Sequence, residues 1–433
     1  MPTLARVSKD LRFLLTNYSD IAGREVGFVV RQSKLGGAGF VQALVFGWMA
    51  NSESSLEQLA RTASVVGIPI TPQGLDQRFS AAGVACLQMV LERMIEYKVV
   101  APKIPRSLLD RFSAVLIRDS TTITLPAVLA PIWHGSSGCG SPAAMKIQLE
   151  YDLRGGGIVG LHLQHGRSQD KTSPTQGCPA TAGALRIADL GYFDLDVLAA
   201  DNRNGHFLSR AMGSMVFYDD AGERHSLDEY LRAAQVDEID IPVQAGNQHR
   251  LPCRLVARRV PPRIAVQRRR KLNYDNKKKG RVTTKRATYL SNWTIFLTSV
   301  PPSILSVDEI FILARCRWQI VLVFKLWKKD AQLDKWRTAK PERILCEIYA
   351  KLIGLILRHW LVLHSCWAEL GRSPTKAHMA ISAMAHHMVA SLQYPSSFAH
   401  ALRDVCRSLS DGCRINPSRR DRRTWQLLTD GLA

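Results

Sequence analysis

The first hundred residues show no strand-like alternation of apolar and polar positions and read as helices. One segment has the outline of a helix-turn-helix: Ser55 to Ala63, a turn through Gly67 and Pro69, then a second helix from Thr71 through Leu75, Phe79, Leu87 and Leu91. Thr71 before Pro72 marks that second start, because a hydroxyl can cap the helix and a first-turn residue needs no N–H. An ordinary helical hairpin would leave the same trace.

The pattern changes at Ala114. Ala114 to Thr124 is rich in β-branched and apolar residues and carries Asp119 inside it. Met145 to Leu153 and Ile158 to Leu163 read as two strands joined by Gly155, Gly156 and Gly157, a β-hairpin. Ala180 to Leu185 reads as a short helix, and Arg186 to Ala188 as a buried strand ending on Asp189. A second β-rich stretch follows, with turn signals at Asp220 to Gly222 and Ala245 to Asn247, and the strand-like Trp293 to Val300 closes it. Pro301 and Pro302 break the chain. One long helix is predicted from Val307 to about Ala331, then helices over Pro341 to Leu370 and Thr375 to Leu392, then a basic tail with Arg419, Arg420, Arg422 and Arg423.

Composition narrows the partners. At 433 residues with 46% apolar content, the chain suggests two or three structural units. Its nine cysteines are scattered without a Cys-x-x-Cys pair, which points to a reducing compartment and away from zinc. The best membrane candidate, Ile348 to Trp367, is interrupted by Lys351, Arg358 and His359, and the first thirty residues do not read as a signal peptide. Net charge is +21, and +13 of it lies between Arg254 and Arg286. That segment includes Arg268, Arg269, Arg270, Lys271, Lys277, Lys278 and Lys279. No amphipathic helix is expected there, which favours nucleic acid over a membrane surface.

Candidate chemistry begins with Asp119 and Asp189, two carboxylates attached to apolar strands, a placement that is costly without a cation or partner. They suit Mg²⁺, with Mn²⁺ as a substitute, because Mg²⁺ takes one or two carboxylates plus waters and phosphate oxygens. Two such ions about 3.5 to 4 Å apart can run phosphodiester chemistry. His162 and His165 lie three apart in a strand and point to opposite faces, so they do not make a metal pair. Asp170 reads as a loop carboxylate with some chance of entering the metal site, and Arg118 and Lys146 as solvated or phosphate-facing.

Three segments carry a resemblance. Leu116 to Thr121, Ile187 to Tyr192, and Arg317 to Ile320 followed by Phe324 to Lys328 resemble the three conserved blocks of DDE transposases of the insertion-sequence-four type. Phe207 to Arg210 and Trp293 to Thr298 extend the likeness over most of the chain. The family's third block has Tyr, Arg, Glu and Lys where this chain has Ala314, Arg317, Val321 and Lys328. At 100° per residue Arg317, Val321, Phe324 and Lys328 share one helix face. The resemblance implies that Asp119 and Asp189 hold metal, that Arg317 and Lys328 hold phosphates, and that Val321 stands where the catalytic Glu belongs. It also implies that Trp293 stacks on a base flipped from the DNA; a core tryptophan in a strand is the alternative.

The fold class expected is α/β: an RNase H-like mixed sheet with a β-rich insertion, between an all-helical N-terminal domain and a helical C-terminal region. The expected domains are 1–108 for DNA binding, 109–372 for catalysis with the basic insertion at about 203–300, and 373–433. The activity implied is cut-and-paste DNA transposition: binding of double-stranded inverted-repeat ends and target DNA by a homodimer, then Mg²⁺-dependent cleavage and strand transfer in the bacterial cytoplasm, at the nucleoid. Val321 predicts impaired cleavage. A catalytically dead protein that binds transposon ends and a structure-selective RNase H-like nuclease are the rivals.

Overall fold

Apolar periodicity and caps account for most of the secondary structure, which a computed structural model describes for residues 3–31, 34–101, 108–136, 140–367, 369, 371–415 and 428. Six helices lead: α1 (Leu4–Phe13), α2 (Ser19–Glu25), α3 (Gly37–Ala50), α4 (Leu56–Val65), α5 (Pro72–Asp76) and α6 (Ala81–Glu96). Then come β1 (Val115–Leu125), β2 (Ala143–Asp152), β3 (Ile158–His165), β4 (Leu185–Ala188), α7 (Leu195–Asn204) and β5 (His206–Arg210). The insertion contains β6 (Val216–Tyr218), β7 (Arg224–Ser226), α8 (Leu227–Ala233), β8 (Glu238–Ala245), β9 (Leu251–Arg259), α9 (Pro262–Lys278), α10 (Lys285–Leu290) and β10 (Trp293–Thr298). The chain ends with α11 (Val307–Cys316), α12 (Trp318–Lys329), α13 (Pro341–Ser365), α14 (Pro374–Ala383), α15 (Ala385–Ser391) and α16 (Pro395–Gly412).

Packing divides the chain into two units, neither of them a single run of sequence. One comprises Met1–Ile104, Ser120–Ser168 and Gln319–Asp421; the other comprises Pro105–Asp119, Gln169–Trp318 and Arg422–Ala433. This differs from three consecutive segments. In the first unit α13 is buried nearly all round, and α3 and α6 pack against it while α1 packs against α16. Arg358 of α13 donates to the carbonyl of Met49 in α3 and to Ser382 Oγ of α14 at 2.8 Å. The N-terminal helices therefore share one core with the C-terminal ones. The β2–β3 hairpin also belongs to this unit, paired from Met145↔His165 to Tyr151↔Ile158, and the far half of β1 lies beside β2.

In the second unit the strand order is β1-β4-β5-β10-β9-β8-β6-β7. The first three strands are mutually parallel, and the rest of the order is antiparallel. Phe207, Phe217, Leu255, Ala257 and Leu297 form the buried core of the insertion, so this part is β-rich as expected.

Several local expectations change. The second helix of the helix-turn-helix outline stops after Asp76, because Ser80 caps the start of α6 through Gly83 N, 3.2 Å away. Residues 180–184 form a turn around Gly183 (φ +69°), not a helix. The long helix from Val307 breaks at Arg317, and α16, absent from the expected elements, completes the helical core. The basic segment is helical: α9 opens with Pro262 in its first turn and closes with Gly280 (φ +63°). There Arg281 N reaches Asn276 O at 2.8 Å and Gly280 N reaches Lys277 O at 3.1 Å, a Schellman stop that needs a residue tolerant of left-handed φ. The segment is thus a helix where none was expected, but a polar one, with Ala265 its only buried residue. The basic tail at Arg419, Arg420, Arg422 and Arg423 lies outside the described residues.

Candidate active site

Parallel register places the two aspartates side by side. β1 and β4 pair from Val115↔Leu185 to Arg118↔Ala188, and Asp119 and Asp189 are the next residue on each chain. Adjacent strands lie about 4.8 Å apart, so two carboxylates at matching steps can reach one cation. Arg317 makes this visible: its Nη1 donates to Asp119 Oδ2 at 2.9 Å, and its Nη2 lies 3.8 Å from Asp189 Oδ1. The side chains of Asp119 and Arg317 are 18% and 20% exposed and that of Asp189 39%, so the cluster is reachable from solvent yet partly screened from it.

The other face of these strands is braced by two buried arginines. Arg118, 1% exposed, donates to Gln176 Oε1 and to the carbonyls of Thr175 and Cys178. Arg186 donates to the same Cys178 carbonyl at 2.9 Å and pairs with buried Asp201. Gln176 in turn donates to the Tyr192 carbonyl at 3.0 Å, which fixes the turn that follows Asp189. Arg118 is thus a structural brace, not a solvated or phosphate-facing group. Lys146 likewise is committed, its Nζ donating to the Ser168 carbonyl at 2.6 Å in the first unit. Asp170 lies closer to the site than its sequence position reveals. A Cβ added at Gly191 would stand 2.8 Å from Asp170 Oδ2, so a larger residue there would push this carboxylate away from the turn after Asp189.

The remaining candidates divide. In the first unit Lys328 is half-buried, its Nζ donating to the Thr122 carbonyl at 2.7 Å, and desolvation holds its pKa below the usual lysine value. Val321 is partly buried on α12, with Phe324 and Trp327 buried C-terminal to it. It offers no metal-binding oxygen. Trp293 is 2% exposed inside the insertion core, with Arg259 5.5 Å from its ring centroid. A ring so enclosed reaches a base only if the insertion core opens, and this structure displays the core alternative. Arg268 is also tied up, donating to Trp293 O at 2.9 Å and Thr294 Oγ1 at 3.0 Å, and Arg269 donates to Asn292 Oδ1. Arg270, Lys271, Lys277, Lys278 and Lys279 remain exposed on and beside α9. A cluster of Asp219, Glu223 and His225 also groups metal-capable atoms, but hydrogen bonds between Asp219 and both Glu223 N and His225 already explain it as a turn. No helix among the described residues is long and apolar enough to cross a membrane.

Two acidic side chains at matching steps of adjacent parallel strands, on an RNase H-like mixed sheet, are the arrangement of the DDE enzymes, which cleave DNA and transfer strands. The chain belongs to the transposase DDE domain family, whose pattern matches residues 110–357. It is similar to the transposase for insertion sequence element IS231E of Bacillus thuringiensis subsp. finitimus, 30% identical over 79% of this chain and 77% of the relative. It is also similar to the IS231F transposase of Bacillus thuringiensis subsp. israelensis, 30% identical over 80% of this chain and 77% of the relative. The IS1151 transposase of Clostridium perfringens is 25% identical over 84% of this chain and 81% of that protein.

Proposed function

We propose that this transposase binds the inverted-repeat ends of its element as double-stranded DNA and carries a two-carboxylate Mg²⁺ site, Asp119 and Asp189, that cleaves those ends poorly because Val321 supplies no third carboxylate. The observation that supports the reading is the guanidinium of Arg317 set against both aspartates, a positive charge held between two carboxylates at matching strand steps. Mg²⁺, or Mn²⁺ in its place, would there supply activation of a water or 3′-hydroxyl and stabilisation of the leaving oxygen. Arg317 and Lys328 provide positive charge for the DNA phosphates, and the exposed cations of α9 provide more. Arg118 and Arg186 hold the strands and the turn that orient the aspartates.

A second reading is supported by the nearness of Asp170 to Gly191, two residues after Asp189: Asp170 would complete the site and make Val321 harmless. Action as a homodimer at the nucleoid and joining to target DNA belong to the same proposal. The test is to incubate the full-length chain with the element's terminal DNA and with random duplex, with and without Mg²⁺ or Mn²⁺. End-selective binding with slow, metal-dependent cleavage is expected. Cleavage indifferent to the terminal repeat would replace the reading with a structure-selective nuclease, and end binding with no cleavage under either metal would replace it with a catalytically dead end-binding protein.

A further inference from the structure

Helix α9 has two faces. Ala265, Arg268, Arg269 and Leu272 lie on the covered side, where the two arginines anchor the helix to the strand β10 and the turn before it. The opposite side centres on Tyr274, 69% exposed. Its four helical neighbours, at three and four residues in each direction, are Arg270, Lys271, Lys277 and Lys278, and all four are exposed cations. Among the described residues none of the four has an acidic partner or a side-chain hydrogen bond. At a rise of about 1.5 Å per residue, Arg270 and Lys278 stand roughly 12 Å apart along the axis with the phenol ring between them.

This surface repels a second copy of itself, because a two-fold contact would set cations against cations. It also lacks the apolar stripe of a membrane-surface helix. A positively charged track interrupted by an aromatic ring is instead the chemistry that holds an unpaired nucleotide: cations take phosphates, and the ring takes a base, whose π-face is the same for every sequence. We propose that Tyr274 is a base-stacking platform on α9, receiving an unpaired base of DNA whose flanking phosphates lie on Arg270, Lys271, Lys277 and Lys278. The inference rests on the DNA-binding part of the proposed function and assigns to the exposed tyrosine a contact that the buried Trp293 cannot make in this structure.

The test titrates the full-length chain, without divalent metal, against a fully paired duplex and the same duplex carrying one extruded fluorescent adenine analogue. The unmodified chain should bind the extruded-base duplex more tightly and quench its fluorescence. Tyr274→Ala should lower that affinity about 5- to 150-fold and remove the quenching, with less than about a twofold change on paired duplex. Tyr274→Phe should retain both properties. Equal weakening on the two duplexes, or none on either, overturns the assignment. Failure of the unmodified chain to bind either duplex overturns the DNA-binding reading and this one with it, whereas binding with an undiminished preference in Tyr274→Ala overturns only the role of Tyr274.

Discussion

The strand-borne and helix-borne parts of the candidate active site contrast sharply. Asp119 and Asp189 are placed by sheet register, one step beyond the last paired residues of β1 and β4, and two buried arginines brace the strands from behind. The third block sits on a helix that breaks at Arg317, and Val321 of α12 is where the proposed reading puts the missing carboxylate. Register ties the backbone at each aspartate to the neighbouring strand, so their spacing is set by the sheet. A partly exposed helix position has no such coupling, and an apolar side chain there costs the fold little. On the proposed reading, the difference teaches that a site loses a residue most readily where its geometry is least tied to stability.

The most severe way to probe the contrast is to damage the strand-borne part. Asp119→Ala should lower metal-dependent end cleavage by at least about two orders of magnitude, equivalent to roughly 3 kcal/mol of transition-state stabilisation, with end binding by gel shift retained. Loss of binding as well would make Asp119 a structural residue and erase the contrast.

The bracing can be tested apart from the chemistry. Asp201 and Arg186 are 1% and 3% exposed, so Asp201→Ala leaves a buried guanidinium without its counter-charge and should destabilise the fold by about 3–5 kcal/mol in urea unfolding. Val321→Ala should change stability far less. Comparable losses would show that the helix block is as tightly coupled as the strands.

A pH control separates folding from cleavage. His359 of α13 is buried against the Gly156 carbonyl, 2.6 Å from Nε2, and burial pushes its pKa down to about 4. The unfolded chain binds this proton near pH 6.5, so the native state is favoured fully above that value and loses the contribution as pH falls from about 6.5 to 4, by roughly 3 kcal/mol. Urea midpoints measured across that window should fall with pH, and His359→Gln should flatten the dependence. An equally steep dependence in the variant would assign it to other groups, His378 among them, whose pKa burial and Arg358 hold at about 3.

The smallest effect concerns DNA affinity outside the site. Replacing Arg270, Lys271, Lys277 and Lys278 with Ala should flatten the slope of log K against log salt by up to about 3.6, at about 0.9 per phosphate contact. An unchanged slope would show that α9 faces away from DNA.

Much of this molecule is legible in its sequence because strands and caps leave local marks. The β2–β3 hairpin, β4 ending before Asp189, Thr71 as a cap and the apolar β1 around Asp119 all follow from period and turn chemistry. What escapes is whatever depends on distant partners. The shared core of α3, α6 and α13 joins segments some three hundred residues apart, so neither segment carries a local mark of it. Arg118 reads as solvated until Gln176 and two carbonyls are seen around it. The helicity of α9 is masked by a polar run with no apolar period, and the proximity of Asp170 to Gly191 is visible only in three dimensions. At Val321 the departure is read from the sequence by resemblance, and its consequence belongs to experiment.

One measurement addresses the central claim most directly: the rate of Mg²⁺-dependent cleavage of terminal-repeat DNA by Val321→Glu relative to the unmodified chain. Restoring a carboxylate worth more than about 1.4 kcal/mol to the transition state should raise the rate at least about tenfold while end binding stays unchanged. Brisk cleavage by the unmodified chain, abolished by Asp119→Ala and not raised by Val321→Glu, would contradict the account and turn attention to Asp170 as the residue that completes the site.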